Sequence, residues 1–151
     1  MKRDLQFLTN YISESVIETK ICQPIKDAFK SDDCFDRVPD VPGIYLMVAR
    51  DKSFVYPKNN SHVFYIGTSK HLRTRLKEHL RRYKEADDDF KKHSMWIYSR
   101  YNYAVAFGAD IYYMRITGRE SEKSLERKAI EGFFDKYGAL PVGNGAFTYR
   151  K

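Results

Sequence analysis

Nothing in the 151 residues approaches the eighteen or so consecutive apolar residues of a membrane-spanning helix. The opening stretch, MKRDLQFLTNYISES, also lacks the continuous apolar run and small-residue cleavage site of a secretory signal. A soluble, cytoplasmic protein with no membrane partner is therefore expected. Cysteine is scarce. Cys22 and Cys34 form no CxxC pair, and the four histidines complete no zinc-finger spacing. That excludes a disulfide framework and leaves two free thiols as the expectation for a reducing compartment. There is no internal repeat and no low-complexity tract. Acidic residues are outnumbered, 20 against 27, and the net charge of +7 favours an anionic partner, nucleic acid being the commonest.

Aromatic residues, by contrast, are plentiful. Twelve Tyr and ten Phe supply enough bulk for a real core in one domain of ordinary size. Leu5, Leu8, Ile12 and Val16 recur at helical spacing and predict an amphipathic helix over residues 3–20. Pro24 suits the first turn of a second short helix carrying Ile25, Ala28 and Phe29. Residues 1–38 thus read as a helical extension packing on a main domain of residues 39–151. Leu5, Leu8 and Ile12 would cover that domain or face a protein partner.

The apolar runs GIYLMVA, residues 43–49, and HVFYIG, residues 62–67, are rich in strand formers. The polar stretch RDKSFVYPKNNS between them predicts an antiparallel hairpin with a long loop. A basic helix follows over residues 69–84, then another over 87–101 with acids in its first turn. The alternating ADIYYMRIT predicts a third strand, residues 109–117. A last helix runs from Arg119 to Tyr137 and stops at Gly138. The expected class is α+β, a small three-stranded, mostly antiparallel sheet flanked by helices.

The basic helix, within YIGTSKHLRTRLKEHLRRY, is unusual on its inner side. At about 100° per residue, Leu72, Leu76, Leu80 and Tyr83 share one arc that must face the core. His79 falls inside it, about 20° from Leu72, and Arg75 lies at its edge, about 60° away. A guanidinium there is costly unless it meets an anion. Two readings stand: a bound anion, or an internal salt bridge to a carboxylate. Lys77, Arg81 and Lys84 point elsewhere and read as solvated surface.

The two strands carry GIY at Gly43-Ile44-Tyr45 and YIG at Tyr65-Ile66-Gly67. Both tripeptides in this order, on adjacent strands and ahead of a basic helix, make a specific signal. The chain resembles the GIY-YIG nuclease family over about residues 41–144. The resemblance implies hydrolysis of a nucleic-acid phosphodiester, DNA before RNA, with Mg²⁺ or Mn²⁺. It implies a site made of the two motif tyrosines, Tyr45 and Tyr65, an Arg, a Glu and an Asn. The Arg at the matching place, ten residues after Tyr65, is Arg75, and His79 occupies the position of a His that some members carry. For the metal-binding Glu, the family pattern has apolar residues three, four and seven positions later. Glu126 matches it with Ala129, Ile130 and Phe133. Glu131 matches it poorly but stands closer to Asn144, the counterpart of the family's Asn. Candidate nucleic-acid contacts are Lys70, Arg73 and Lys77.

The spacing from Tyr45 to Tyr65 exceeds the compact form of the motif, and a second DNA-reading domain after the site is not expected. A nuclease is one expectation. A non-catalytic nucleic-acid-binding module, or a small subunit of a larger repair or restriction assembly, is the other. A homodimer is compatible with either.

Overall fold

The computed structural model describes residues 2–9, 11–12, 24–93 and 99–144. Within them, α1 (Lys2–Thr9) is followed by β1 (Gly43–Ala49), a small ribbon of β2 (Phe54–Val55) and β3 (Asn60–Ser61), and β4 (Val63–Ser69). Then come α2 (Leu72–His93), α3 (Ser99–Phe107), β5 (Ala109–Arg115) and α4 (Glu122–Tyr137). The class is α+β. β4, β1 and β5 form one antiparallel sheet with β1 in the middle, as the apolar character of GIYLMVA requires. All seven residues of β1 are buried, so both faces of the sheet are covered. No helix among the described residues is long and apolar enough to cross a membrane.

Side chains alternate between faces along a strand. Tyr45 pairs with Gly67 and Met47 with Tyr65, so the two motif tyrosines sit diagonally on one face. α2 lies over that face, with the Leu72 side chain against Gly43. Thr68 points the opposite way and neighbours Glu126, which places α4 on the second face. α1 packs across α4, Phe7 meeting the ring of Phe133 edge-on at 5.3 Å. Leu5, Phe7, Leu8 and Ile12 all join the one core that includes β1 and α4.

Several boundaries differ from the sequence expectation, each for a visible reason. α1 ends at Thr9, Ile12 lies in the turn beyond it, and Val16 and Cys22 fall outside the described residues. Residues 26–29 form a turn, not a helix. The amides there are committed to the sheet: Ile25 N donates to Ile111 O (2.8 Å), Ile111 N to Ile25 O (3.0 Å) and Ala28 N to Ala109 O (2.9 Å). This segment covers the edge of β5, which protects an otherwise open strand. The basic helix does not stop near Lys84. Without Gly or Pro to interrupt it, α2 continues to His93 and absorbs the acids assigned to a separate helix. α3 is accordingly Ser99–Phe107. Cys34 is a free, half-buried thiol whose pKa burial pushes up to about 11.

The ends of the helices obey local chemistry. Ser121 caps α4 by accepting from Ser124 N, and Gly138 closes it in the left-handed conformation, its N–H bonded to Phe134 O at 2.7 Å. α2 has a distant cap. Asp40 takes hydrogen bonds from the Thr74 N–H and hydroxyl, both 2.9 Å, which hold its carboxyl below the usual range.

Both motif glycines are explained by close approach. A Cβ on Gly67 would lie 2.4 Å from the Tyr45 hydroxyl oxygen, and one on Gly43 would lie 2.2 Å from Leu72 Cδ1 and 2.6 Å from Met114 O. Gly67→Ala must therefore displace the Tyr45 ring. The expected result is a loss of about 1–3 kcal/mol in a urea titration, the usual range for overpacking a core.

Candidate functional site

Tyr45, Tyr65 and His79 form a packed aromatic group. The tyrosine rings are 6.1 Å apart, and His79 lies 5.3 Å from Tyr45 and 5.8 Å from Tyr65. His79 is 0 % exposed. Its Nε2 is 2.6 Å from the Tyr45 hydroxyl, and its Nδ1 is 2.7 Å from the hydroxyl of Tyr101. The polar residue on the apolar arc of α2 is thus held at both nitrogens.

Burial, followed by the charges of Arg75, Arg100 and Arg82, drives the His79 pKa down to about 2. The ring is neutral in the fold, whereas in the unfolded chain it titrates near the ordinary value of about 6.5. Below that value the unfolded state binds more protons than the native state, so stability falls as the pH is lowered. Between about pH 7.5 and about pH 5 this one residue should remove about 2 kcal/mol, read as the difference between urea titrations at the two values. A His79→Gln variant should lack that share of the pH slope.

Burial also raises the Tyr45 pKa well above 10, and Tyr65 adds to the shift, while Arg75 pulls in the other direction. Arg75 stands at the edge of this group. Burial works against its charge, but Tyr45, Glu78 and Tyr65 outweigh it and keep the guanidinium protonated. Its Nη1 donates to Glu78 Oε2 at 2.8 Å, one turn along the same helix. The internal salt bridge considered from the sequence is therefore present. The same guanidinium also acts on Tyr45, Tyr65 and Glu126.

Glu126 comes from α4, beside the buried Leu125, Ala129 and Ile130. Burial raises its pKa, while the nearby Thr68 hydroxyl and the Arg75 charge work the other way. Glu131 is exposed, and its charge acts instead on Tyr11, near α1. Of the two glutamates, Glu126 shares the neighbourhood of Arg75.

Asn144 does not offer its amide to this group. Its Oδ1 accepts from Ile66 N and its Nδ2 donates to Ile66 O, both at 2.9 Å. Gly143 N adds a bond to Phe64 O at 2.6 Å. Asn144 thus pins the middle of the YIG strand in place. The sequence placed it among the catalytic residues; in the structure both ends of its amide are engaged by the Ile66 backbone.

The three candidate nucleic-acid contacts separate. Lys70 is exposed and 3.9 Å from Glu122, one turn before Glu126, so it lies at the site's end of the fold. Arg73 is half-buried and acts on Asp40. Lys77 turns away and pairs with Asp36 at 2.7 Å. That pairing, like that of Lys84 with Asp32, ties α2 to the segment over residues 31–38.

Two residues of α3 belong to the group and carried no sequence signal. Tyr101 bonds His79 as described. Arg100 lies over the Tyr65 ring, 4.3 Å from its centroid, and its Nη1 donates to the Tyr65 hydroxyl at 3.0 Å. An Arg-Tyr pair in an aromatic-rich helix has no distinguishing spacing, so only the packing of α3 against α2 and β4 reveals it.

Among the described residues, no three His, Cys, Asp or Glu side chains gather into a ready-made metal cage. A hard cation of the magnesium type does not need one, since it takes one or two carboxylates and completes its shell with water and substrate phosphate. A single carboxylate in a site that disfavours its bare charge fits that donor set. The chain as a whole matches no protein-family model, no curated protein and no solved structure.

Proposed function

We propose that the protein is a metal-dependent endonuclease of the GIY-YIG type, hydrolysing phosphodiester bonds in nucleic acid, with DNA the first substrate to test. The observation that carries this reading is the group of Tyr45, Tyr65, Arg75 and His79 from two strands and one helix, with Glu126 of α4 near enough for the Arg75 charge to act on it. Packing alone gives no reason to set a guanidinium against the two tyrosines and within reach of a half-buried carboxylate from the other face of the sheet. A phosphate flanked by a cation gives one.

In this reading Glu126 holds Mg²⁺ or Mn²⁺. When bound, the ion supplies a Lewis acid that draws charge from the phosphate. Arg75 grips the non-bridging oxygens with its planar fork. Tyr45 Oη takes a proton from the attacking water as its own proton passes to His79 Nε2, 2.6 Å away. The water oxygen bonds to phosphorus, the bond to the 3′-oxygen breaks, and that oxygen takes a proton from solvent. Burial is the main reason His79 is neutral, and a phosphodiester against Arg75 cancels part of the positive charge that adds to it, which moves the imidazole towards a better base. Tyr65, braced by Arg100, orients the phosphate.

The test is incubation of the purified protein with supercoiled plasmid, single-stranded DNA and RNA in Mg²⁺, Mn²⁺ or EDTA. Expected are nicked and linear products ending in 5′-phosphate, in the metal-containing samples alone. Tight binding with no cleavage under any condition would replace this reading with that of a nucleic-acid-binding module.

A further inference from the structure

His79 has two bonds and one proton to share between them. A neutral imidazole carries a single N–H, so one ring nitrogen donates and the other accepts. The partners are the hydroxyls of Tyr45 on Nε2 and Tyr101 on Nδ1, and either hydroxyl can take either part. The surroundings break the tie. Arg75 acts on Tyr45 through a side-chain hydrogen bond as well as through its charge, whereas Arg100, Arg75 and Arg82 act on Tyr101 through charge alone. A guanidinium has donors only, so the lone pairs of Tyr45 belong on its side and the Tyr45 O–H belongs on Nε2. The remaining proton then sits on Nδ1 and points at Tyr101.

We propose that Tyr101 is a positioning residue: by accepting the Nδ1–H bond it fixes the tautomer of His79 and aims the bare Nε2 at the Tyr45 hydroxyl. The arrangement has the logic of a nucleophile, a base and an orienting group. Here the orienting group is a phenol. It sets direction without adding charge, and α3 brings it to α2 from 22 residues further along the chain. Its use in catalysis rests on the nuclease reading, but its effect on the tautomer does not.

The two are separated by the experiment. In protein labelled with ¹⁵N-histidine, two-bond proton–nitrogen correlations should report His79 protonated at Nδ1. Tyr101→Phe keeps the ring and removes the acceptor, so His79 should move towards the Nε2–H form or a mixture. Tyr45→Phe should leave the Nδ1–H form in place, because Tyr101 still sets it. In a cleavage assay, Tyr101→Phe should lower kcat by about 10–100-fold, the usual effect of losing an orienting partner, with KM changed less than about twofold. An Nε2–H tautomer in the wild-type protein, or an unaltered Nδ1–H tautomer in Tyr101→Phe, overturns the proposal. Wild-type protein that holds the Nδ1–H form and cuts nothing overturns the nuclease reading alone.

Discussion

Glu126→Gln should abolish cleavage and raise the melting temperature in the same protein. The two effects have one cause. Glu126 rises from a face of α4 that buries Leu125, Ala129 and Ile130, and burial lifts its pKa above the ordinary carboxylate value. For an acid whose native pKa is raised, the stabilising contribution is complete below the unfolded value and disappears as the pH rises through the native one. At neutral pH the bare carboxylate therefore weakens the fold, and a neutral amide of the same shape relieves it. The side chain is partly solvated, which limits the gain to about 1–3 °C. Turnover should fall by about 10²–10³-fold or more, the scale of losing one preorganised electrostatic group. A third measurement links them. Mg²⁺ at ten times its Kd should stabilise the wild-type protein by about 1.4 kcal/mol and leave Glu126→Gln unmoved. Scanning calorimetry with Mg²⁺ and with EDTA reads both. Equal shifts in the two proteins would take the ion away from Glu126.

What could be read from the chain follows from how local each feature is. GIY and YIG declare strands through β-branched and aromatic residues, and Gly67 and Gly43 are there because Tyr45 and Leu72 occupy the space a Cβ needs. Gly138 stops α4 by a local conformation. Helical periodicity alone puts His79 among buried leucines, and the apolar spacing after Glu126 distinguishes it from the exposed Glu131. The strand, stop and periodicity signals depend on residues within about two helical turns of one another, whereas the contacts that require the two glycines join segments more than 20 residues apart. The features that stayed hidden are contacts between distant segments. Ile25 completes the edge of β5 across 86 residues, which no helical pattern around Pro24 discloses. Asn144 reaches back to Ile66, so a residue that looks like a turn former between glycines is spent on a strand. Tyr101 and Arg100 join the site only because α2 runs on to His93 before the chain returns as α3.

Arg75→Ala and Glu78→Gln should change activity in opposite directions. Both act on one guanidinium. Arg75 is held by Glu78 on one side and faces Tyr45 and Tyr65 on the other. Glu78 also bonds Arg82 Nε at 3.4 Å, so it can release Arg75 without losing every partner. A phosphodiester entering the site must compete with that carboxylate for the fork. Removing the guanidinium deletes the group that neutralises the phosphate and leaves Tyr45 with less pull on its proton. The expected fall in kcat/KM is about 10²–10³-fold, carried mainly by kcat because the phosphate gains most charge in the transition state. Arg75→Lys should recover little, since an ammonium cannot make the two parallel bonds of a planar fork. Glu78→Gln removes the competitor. A partly exposed pair of this kind is worth a few tenths to one kcal/mol, so KM should drop by about two- to fivefold with kcat nearly unchanged. Steady-state cleavage of a short duplex by the three variants decides the matter. If Glu78→Gln weakened turnover as much as Arg75→Ala, Glu78 would be holding the guanidinium in its working position rather than occupying it.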